Sequence, residues 1–192
     1  HTDNRRQRQM CIRDRVKVDD SVTVADNMLR KGICDHVWVT GGVANLFLYI
    51  SGVDIGEVNV DFLQKETGKS WDNTVMTAKK LLIDFPECII MPSDVALHIE
   101  DNRVDEPLKN LPLNAPIFDI GITSIQSLSK GIKSAGTIIL NGPAGVFEMS
   151  DFALGTIEIL NACAEGNGYA VMGGGHTATL VSQRGLSGKM GH

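Results

Sequence analysis

An alternation constrains this chain more than any other feature. Short apolar runs of β-favouring residues, at 37–39, 88–91, 137–140 and 169–172, are separated by longer stretches whose apolar residues recur at helical spacing. The helical stretches fall at 20–31, 43–51, 71–83, 124–134 and 152–164. Parallel neighbours in a sheet need a crossover between them, and a helix is the usual one. The expected fold class is therefore α/β: a Rossmann-like, three-layer domain with a parallel sheet flanked by helices.

The first helix is marked by Val22, Ala25, Met28 and Leu29 on one face, an Asp or Ser available as N-cap, and Gly32 placed to stop it. Segments 52–70 and 98–116 keep neither period and are expected to be loops or irregular extensions. Residues 1–15 differ from the rest. They hold Arg5, Arg6, Arg8, Arg13 and Arg15 against Asp3 and Asp14, in a chain whose net charge is −5. With almost no apolar residues and no period, this stretch reads as a foreign or disordered basic segment, and the domain as 16–192.

The net acidity argues against a nucleic-acid-binding face, which needs clustered cations. No run approaches the roughly 18 apolar residues of a membrane helix, and the N-terminus lacks the apolar centre of a signal peptide. The expectation is a cytoplasmic protein with neither nucleic acid nor membrane as partner. Cys11, Cys34, Cys88 and Cys163 are too irregularly spaced for a zinc site or a disulfide scaffold, and are expected to be reduced thiols.

Three of the strands end in glycine-rich turns: Thr40-Gly41-Gly42, Asn141-Gly142-Pro143-Ala144-Gly145 and Gly173-Gly174-Gly175-His176-Thr177. In a parallel sheet they share the carboxyl edge, where ligands of such folds bind. Glycine lets backbone approach a ligand, and free N–H groups at a helix start favour anions. The competing explanation for each turn is a need for positive φ. None matches the G-x-x-x-x-G-K-S/T phosphate loop or the spaced G-x-G-x-x-G fingerprint, so a P-loop enzyme or a nicotinamide dehydrogenase is disfavoured.

The run Asn141-Gly142-Pro143-Ala144-Gly145-Val146-Phe147-Glu148, with Phe152-Ala153 and Gly155-Thr156 after it, closely resembles the N-G-P-x-G-V-F-E…F-A-x-G-T signature of the phosphoglycerate kinase family. In the family's order stand Val16-Lys17-Val18-Asp19-Asp20, Thr40-Gly41-Gly42 with Ala44 and Phe47, Pro92 with Asp94, Asp119-Ile120-Gly121 and Gly173-Gly174-Gly175-His176-Thr177. Ser21 and His176 resemble the archaeal branch.

The resemblance implies the C-terminal, nucleotide-binding half of a phosphotransferase with a carboxyl-group acceptor. It would move a phosphoryl group reversibly between 1,3-bisphosphoglycerate and ADP, giving 3-phosphoglycerate and ATP, with Mg2+ carried by the nucleotide. Lys17 matches a family lysine on the transferring phosphoryl group, and Glu148 a glutamate that accepts from ribose hydroxyls. Asn141, Pro143, Gly145 and Val146 would line the nucleotide, Gly41, Gly42 and Gly121 its adenine side, and Gly173, Gly174, Gly175, His176 and Thr177 its phosphate end. His176 stands where other branches have a magnesium-binding aspartate. Imidazole suits a hard cation poorly, so a hydrogen bond to phosphate is expected there and no protein metal ligand is assigned.

The family pattern has Gly-Gly where Asp14 and Arg15 stand, which leaves the placement of Lys17 open. It also continues past His192 into an S-T-G-G-G-A turn. The phosphoglycerate site would belong to an N-terminal domain outside this sequence, so the chain alone is expected to be inactive. A non-catalytic adenine-nucleotide-binding module would share every motif.

Overall fold

The computed structural model describes residues 8–12 and 17–173. Its first strand is β1 (Arg8–Ile12), and helix α1 (Val18–Arg30) follows. Val18, Val22, Ala25 and Leu29 are buried along one face of α1, as the spacing requires. The cap position is Lys17, and Asp19 and Asp20 sit in the first turn rather than at the cap. Beyond Lys31 the Gly32 amide donates to the Leu29 carbonyl and the Ile33 amide to that of Met28 at 2.9 Å, the pattern of a glycine-terminated helix.

Next come β2 (His36–Val39), α2 (Gly41–Ile50), α3 (Glu57–Thr67), α4 (Trp71–Asp84) and the short β3 (Ile89–Ile90). After an antiparallel excursion the chain returns through α5 (Ile122–Ser134), β7 (Thr137–Asn141), α6 (Leu154–Glu165) and β8 (Tyr169–Gly173). Strands β1, β2, β3, β7 and β8 form one sheet in the order β3-β2-β1-β7-β8, parallel at every pairing.

Side chains alternate across this sheet and separate two cores. Val37, Val39 and Ile139 face the core built with α1, α2 and α4, which buries Phe47, Leu46 and Leu81. Trp38, Ile138 and Leu140 face the core built with α5 and α6, which buries Leu128, Ile159 and Leu160. Each such apolar side chain contributes about 1.5–3 kcal/mol when removed from water. The molecule is the expected three-layer α/β sandwich.

Three expectations need correction. Arg8–Ile12 lies inside the stretch read as foreign or disordered, yet it is a strand paired with both β2 and β7. Its apolar residues, Met10, Cys11 and Ile12, are a run of three set among five arginines, too short to stand out as a strand. Within 52–70, read as loop, stands α3. Within 98–116 lie the end of β4 and all of β5 of a second sheet, β5-β4-β6, made of β4 (Asp94–Ile99), β5 (Asn102–Pro107) and β6 (Ile117–Ile120), antiparallel throughout.

Candidate nucleotide cleft

The register of the parallel sheet brings its carboxyl ends level. Ile12 pairs with Val39 on one side and Asn141 on the other, and Asn141 pairs with Gly173. The turns that follow β2 and β7 therefore emerge side by side. Both need left-handed backbone, at Gly41 (φ 58°) and Gly142 (φ 91°), which a side chain would disfavour. The Gly41 turn also packs on the other loop, since a Cβ there would stand 3.4 Å from the Ala144 carbonyl oxygen.

Between these turns lies a cleft of about 210 Å3. Gly41, Gly42 and Asn45 form one wall, and Pro143, Ala144, Gly145 and Val146 the opposite one. Pro116, Ile117 and Phe118 of the β6 region and Val58, Asn59 and Phe62 of α3 complete it. Val58 and Phe62 are partly open to solvent, at 39% and 42%. Apolar side chains and glycine backbone dominate the lining, a surface that suits a flat, weakly polar ring rather than an ion.

The walls are held by polar pins. Asn59 is buried and uses its whole amide: Nδ2 donates to the carbonyls of Ile55 (2.7 Å) and Ala115 (3.0 Å), and Oδ1 accepts from the Ile117 amide at 2.8 Å. The Ala144 amide donates to Thr156 Oγ1 at 3.0 Å. Val146 donates its amide to the Phe118 carbonyl at 2.8 Å. Gly145 has no room for a side chain, as a Cβ would come 2.5 Å from that same carbonyl oxygen. Several signature residues thus hold the loop rather than offer groups to a ligand.

Five expected site residues, Gly41, Gly42, Pro143, Gly145 and Val146, line the cleft together. Asn141 and Gly173 stand beside each other at the sheet edge, outside the lining. Glu148 faces an adjoining hollow of about 340 Å3 with Phe147, Ser150, Ala153 and Thr156. Lys17 precedes α1, 3.5 Å from Asp20 in an exposed ion pair. Gly121 is not in the lining: a Cβ there would fall 2.2 Å from the Asp94 carboxyl carbon. It makes way for that carboxylate, which accepts from the amides of Thr123 (2.9 Å) and Ser124 (2.8 Å) and caps α5 from a distant strand. Gly174, Gly175, His176 and Thr177 lie outside the described residues.

Asp119, from the same short motif, is also turned inward. Its side chain accepts from the Gly155 amide at 2.8 Å and from Arg103 at 2.9 Å. Burial alone pulls the Arg103 guanidinium's pKa down, but the hydrogen bonds it donates to Asp105 and Asp119 outweigh it and hold Arg103 above its ordinary value. His98 stacks on Phe118 with ring centroids 5.1 Å apart and meets Phe152 edge-on. Cys34 and Cys163 are buried thiols. Among the described residues no three His, Cys, Asp or Glu side chains gather to hold a metal, and no helix is long and apolar enough to cross a membrane.

The α3 and β6 contributions to the cleft, Val58, Asn59, Phe62 and the 116–118 wall, have no counterpart among the residues expected from sequence. Helix α3 and Pro116 come from the segments read as loop, and Ile117 and Phe118 follow directly after the second of them. The fold and cleft together define a doubly wound α/β domain with a glycine-walled apolar slot at its carboxyl edge. The chain belongs to the phosphoglycerate kinase family, whose pattern it matches over residues 2–192. It is 47% identical over 177 residues to the phosphoglycerate kinase of Methanobacterium bryantii and 45% identical to that of Methanothermobacter thermautotrophicus. Each alignment covers 92% of this chain and 42% of the relative, so the chain spans less than half the length of these archaeal relatives. Its fold is similar to the crystal structure of phosphoglycerate kinase from Pyrococcus horikoshii OT3, with a TM-score of 0.82 at 30% identity, over 95% of this chain and 45% of that one.

Proposed function

We propose that this chain supplies the ADP and ATP site of a phosphoglycerate kinase, which transfers a phosphoryl group reversibly between 1,3-bisphosphoglycerate and ADP to give 3-phosphoglycerate and ATP. The observation that carries the reading is the slot between Gly41 and Gly42 on one side and Pro143, Gly145 and Val146 on the other. An adenine ring fits such a slot by shape and apolar contact, with Val58 and Phe62 at its mouth. Glu148, in the adjoining hollow, is assigned to the ribose hydroxyls, because a carboxylate accepts from hydroxyls and repels phosphates. The phosphates then run along the sheet edge past Asn141 and Gly173 toward Lys17. There a cation and helix-start amides offset negative charge as the phosphoryl group moves.

Mg2+ enters this reading as the ion carried by the nucleotide's phosphates, whose charge it screens. No protein ligand is assigned to it and no step is routed through it. Phosphoglycerate and 1,3-bisphosphoglycerate are assigned to the part of the relatives' length that this chain does not span. Phosphoryl transfer asks the protein mainly to position two substrates and stabilise charge, so the two parts must act together.

Val58→Asp tests the slot. The position is half-open, so the fold tolerates a polar side chain, while a charged carboxylate beside the apolar face of the ring should weaken ADP binding about tenfold or more. Calorimetric titration gives the affinity and circular dichroism checks the fold. A folded variant that binds ADP as tightly as the wild type contradicts the assignment.

A further inference from the structure

We propose that Arg103 is a positioning residue of the nucleotide site, fixing the segment that carries Glu148 without touching the ligand; this rests on the nucleotide reading above. Arg103 lies on β5, in the antiparallel sheet, and all five of its N–H donors are used. Nε and Nη2 grip the Asp105 carboxylate at 2.9 and 3.0 Å. Nη1 donates to Asp119 Oδ2 and to the Asp151 carbonyl, each at 2.9 Å, and Nη2 also donates to the Ile120 carbonyl at 2.9 Å. The guanidinium carbon sits 6.0 Å from the centre of the Phe152 ring.

The geometry matters because of what lies between these anchors. The stretch after the glycine loop is tied to β6 at its start, where the Val146 amide meets the Phe118 carbonyl. It is tied again at its end, where Arg103 joins the Asp151 carbonyl to Asp119 and Ile120 of the same strand. Glu148 stands in the middle, and Phe118 itself lines the cleft. A span pinned at both ends presents its carboxylate at one place. Released at the Asp151 end, it samples others, and a displacement of about 1 Å at a positioning contact is enough to weaken recognition severely. Lysine cannot stand in, because three donors on a flexible stem do not reproduce a planar fork.

Arg30 provides the control. It too joins two aspartates, Asp26 and Asp84 at 2.8 Å each, and lies over a phenylalanine, Phe85, but it links α1 to the end of α4. Affinities for ADP and for inorganic tripolyphosphate are measured by titration on the wild-type chain and on Arg103→Met, Arg103→Lys and Arg30→Met. Amide hydrogen exchange is followed in parallel. Both Arg103 variants are expected to lose ADP affinity about tenfold and to exchange the Val146 and Phe152 amides faster, while tripolyphosphate affinity stays within about twofold. Arg30→Met should leave both affinities within about twofold.

Should Arg103→Met fail to fold, Asp105→Asn loosens the same clasp and is expected to reproduce the selective loss in milder form. A wild-type chain that binds no ADP sinks the nucleotide reading, and this proposal with it. A wild type that binds, beside an Arg103→Met that binds equally, overturns the positioning role alone. Equal losses of ADP and tripolyphosphate, or the same loss in Arg30→Met, would reduce Arg103 to general stability and also overturn it.

Discussion

Gly121 and Asp94 show how a small residue is dictated by a large demand elsewhere. The Asp94 carboxylate must reach the first turn of α5 from β4, and it passes through the space a Gly121 side chain would fill. Gly121→Ala is expected to cost about 2 kcal/mol or more, since neither a buried carboxylate nor its cap can shift cheaply. Urea unfolding followed by circular dichroism checks this; a variant as stable as the wild type would show that Asp94 has room to move. Glu148 makes a different prediction. Glu148→Ala should weaken ADP binding by about 1–3 kcal/mol, the range for losing a charged acceptor, with little effect on stability. Unchanged calorimetric affinity would remove the ribose assignment.

At the scale of elements, most helices and every parallel strand but β1 were legible because their burial follows their pattern. Val18, Val22, Ala25 and Leu29 of α1 are apolar where they are buried. Helix α3 was not legible for the opposite reason. Its apolar Val58, Val60 and Phe62 alternate as a strand would, while the buried positions fall on Asn59, Leu63 and Thr67. Two of those three are polar and satisfied by hydrogen bonds, Asn59 to loop carbonyls and Thr67 to Leu63 at 2.8 Å. The wall of the cleft that α3 supplies was hidden with it. The β4–β5 hairpin was missed because its two-residue turn is Glu100 and Asp101, both at positive φ (48° and 60°), without the Asn-Gly that marks such turns. Replacing Asp101 by Gly should therefore stabilise the protein by about 0.5–1 kcal/mol. A lower urea midpoint for Asp101→Gly would mean that its side chain contributes more than its backbone costs.

The whole molecule is two apolar cores divided by one parallel sheet, with loops from both sides of β1 meeting at the carboxyl edge. That arrangement explains why the glycine walls could be named from sequence: in a parallel sheet, turns after successive strands must emerge together. It also explains what could not be named. Gly121, expected on the adenine side, follows β6 and packs on Asp94 at the start of α5 instead, and the sequence offered no sign of the second sheet that puts it there. The chain spans 42% of its Methanobacterium relative, and transfer needs both substrates held in line. A coupled assay on this chain alone is accordingly expected to show no turnover, and clear turnover would mean that the acceptor site lies within it. The most direct test of the central claim is a residue-resolved magnetic resonance titration of the 192-residue chain with ADP. Saturable shifts concentrated at Gly41, Gly42, Gly145 and Val146 are the predicted result; saturable shifts that leave those four unmoved and gather on another face would contradict it.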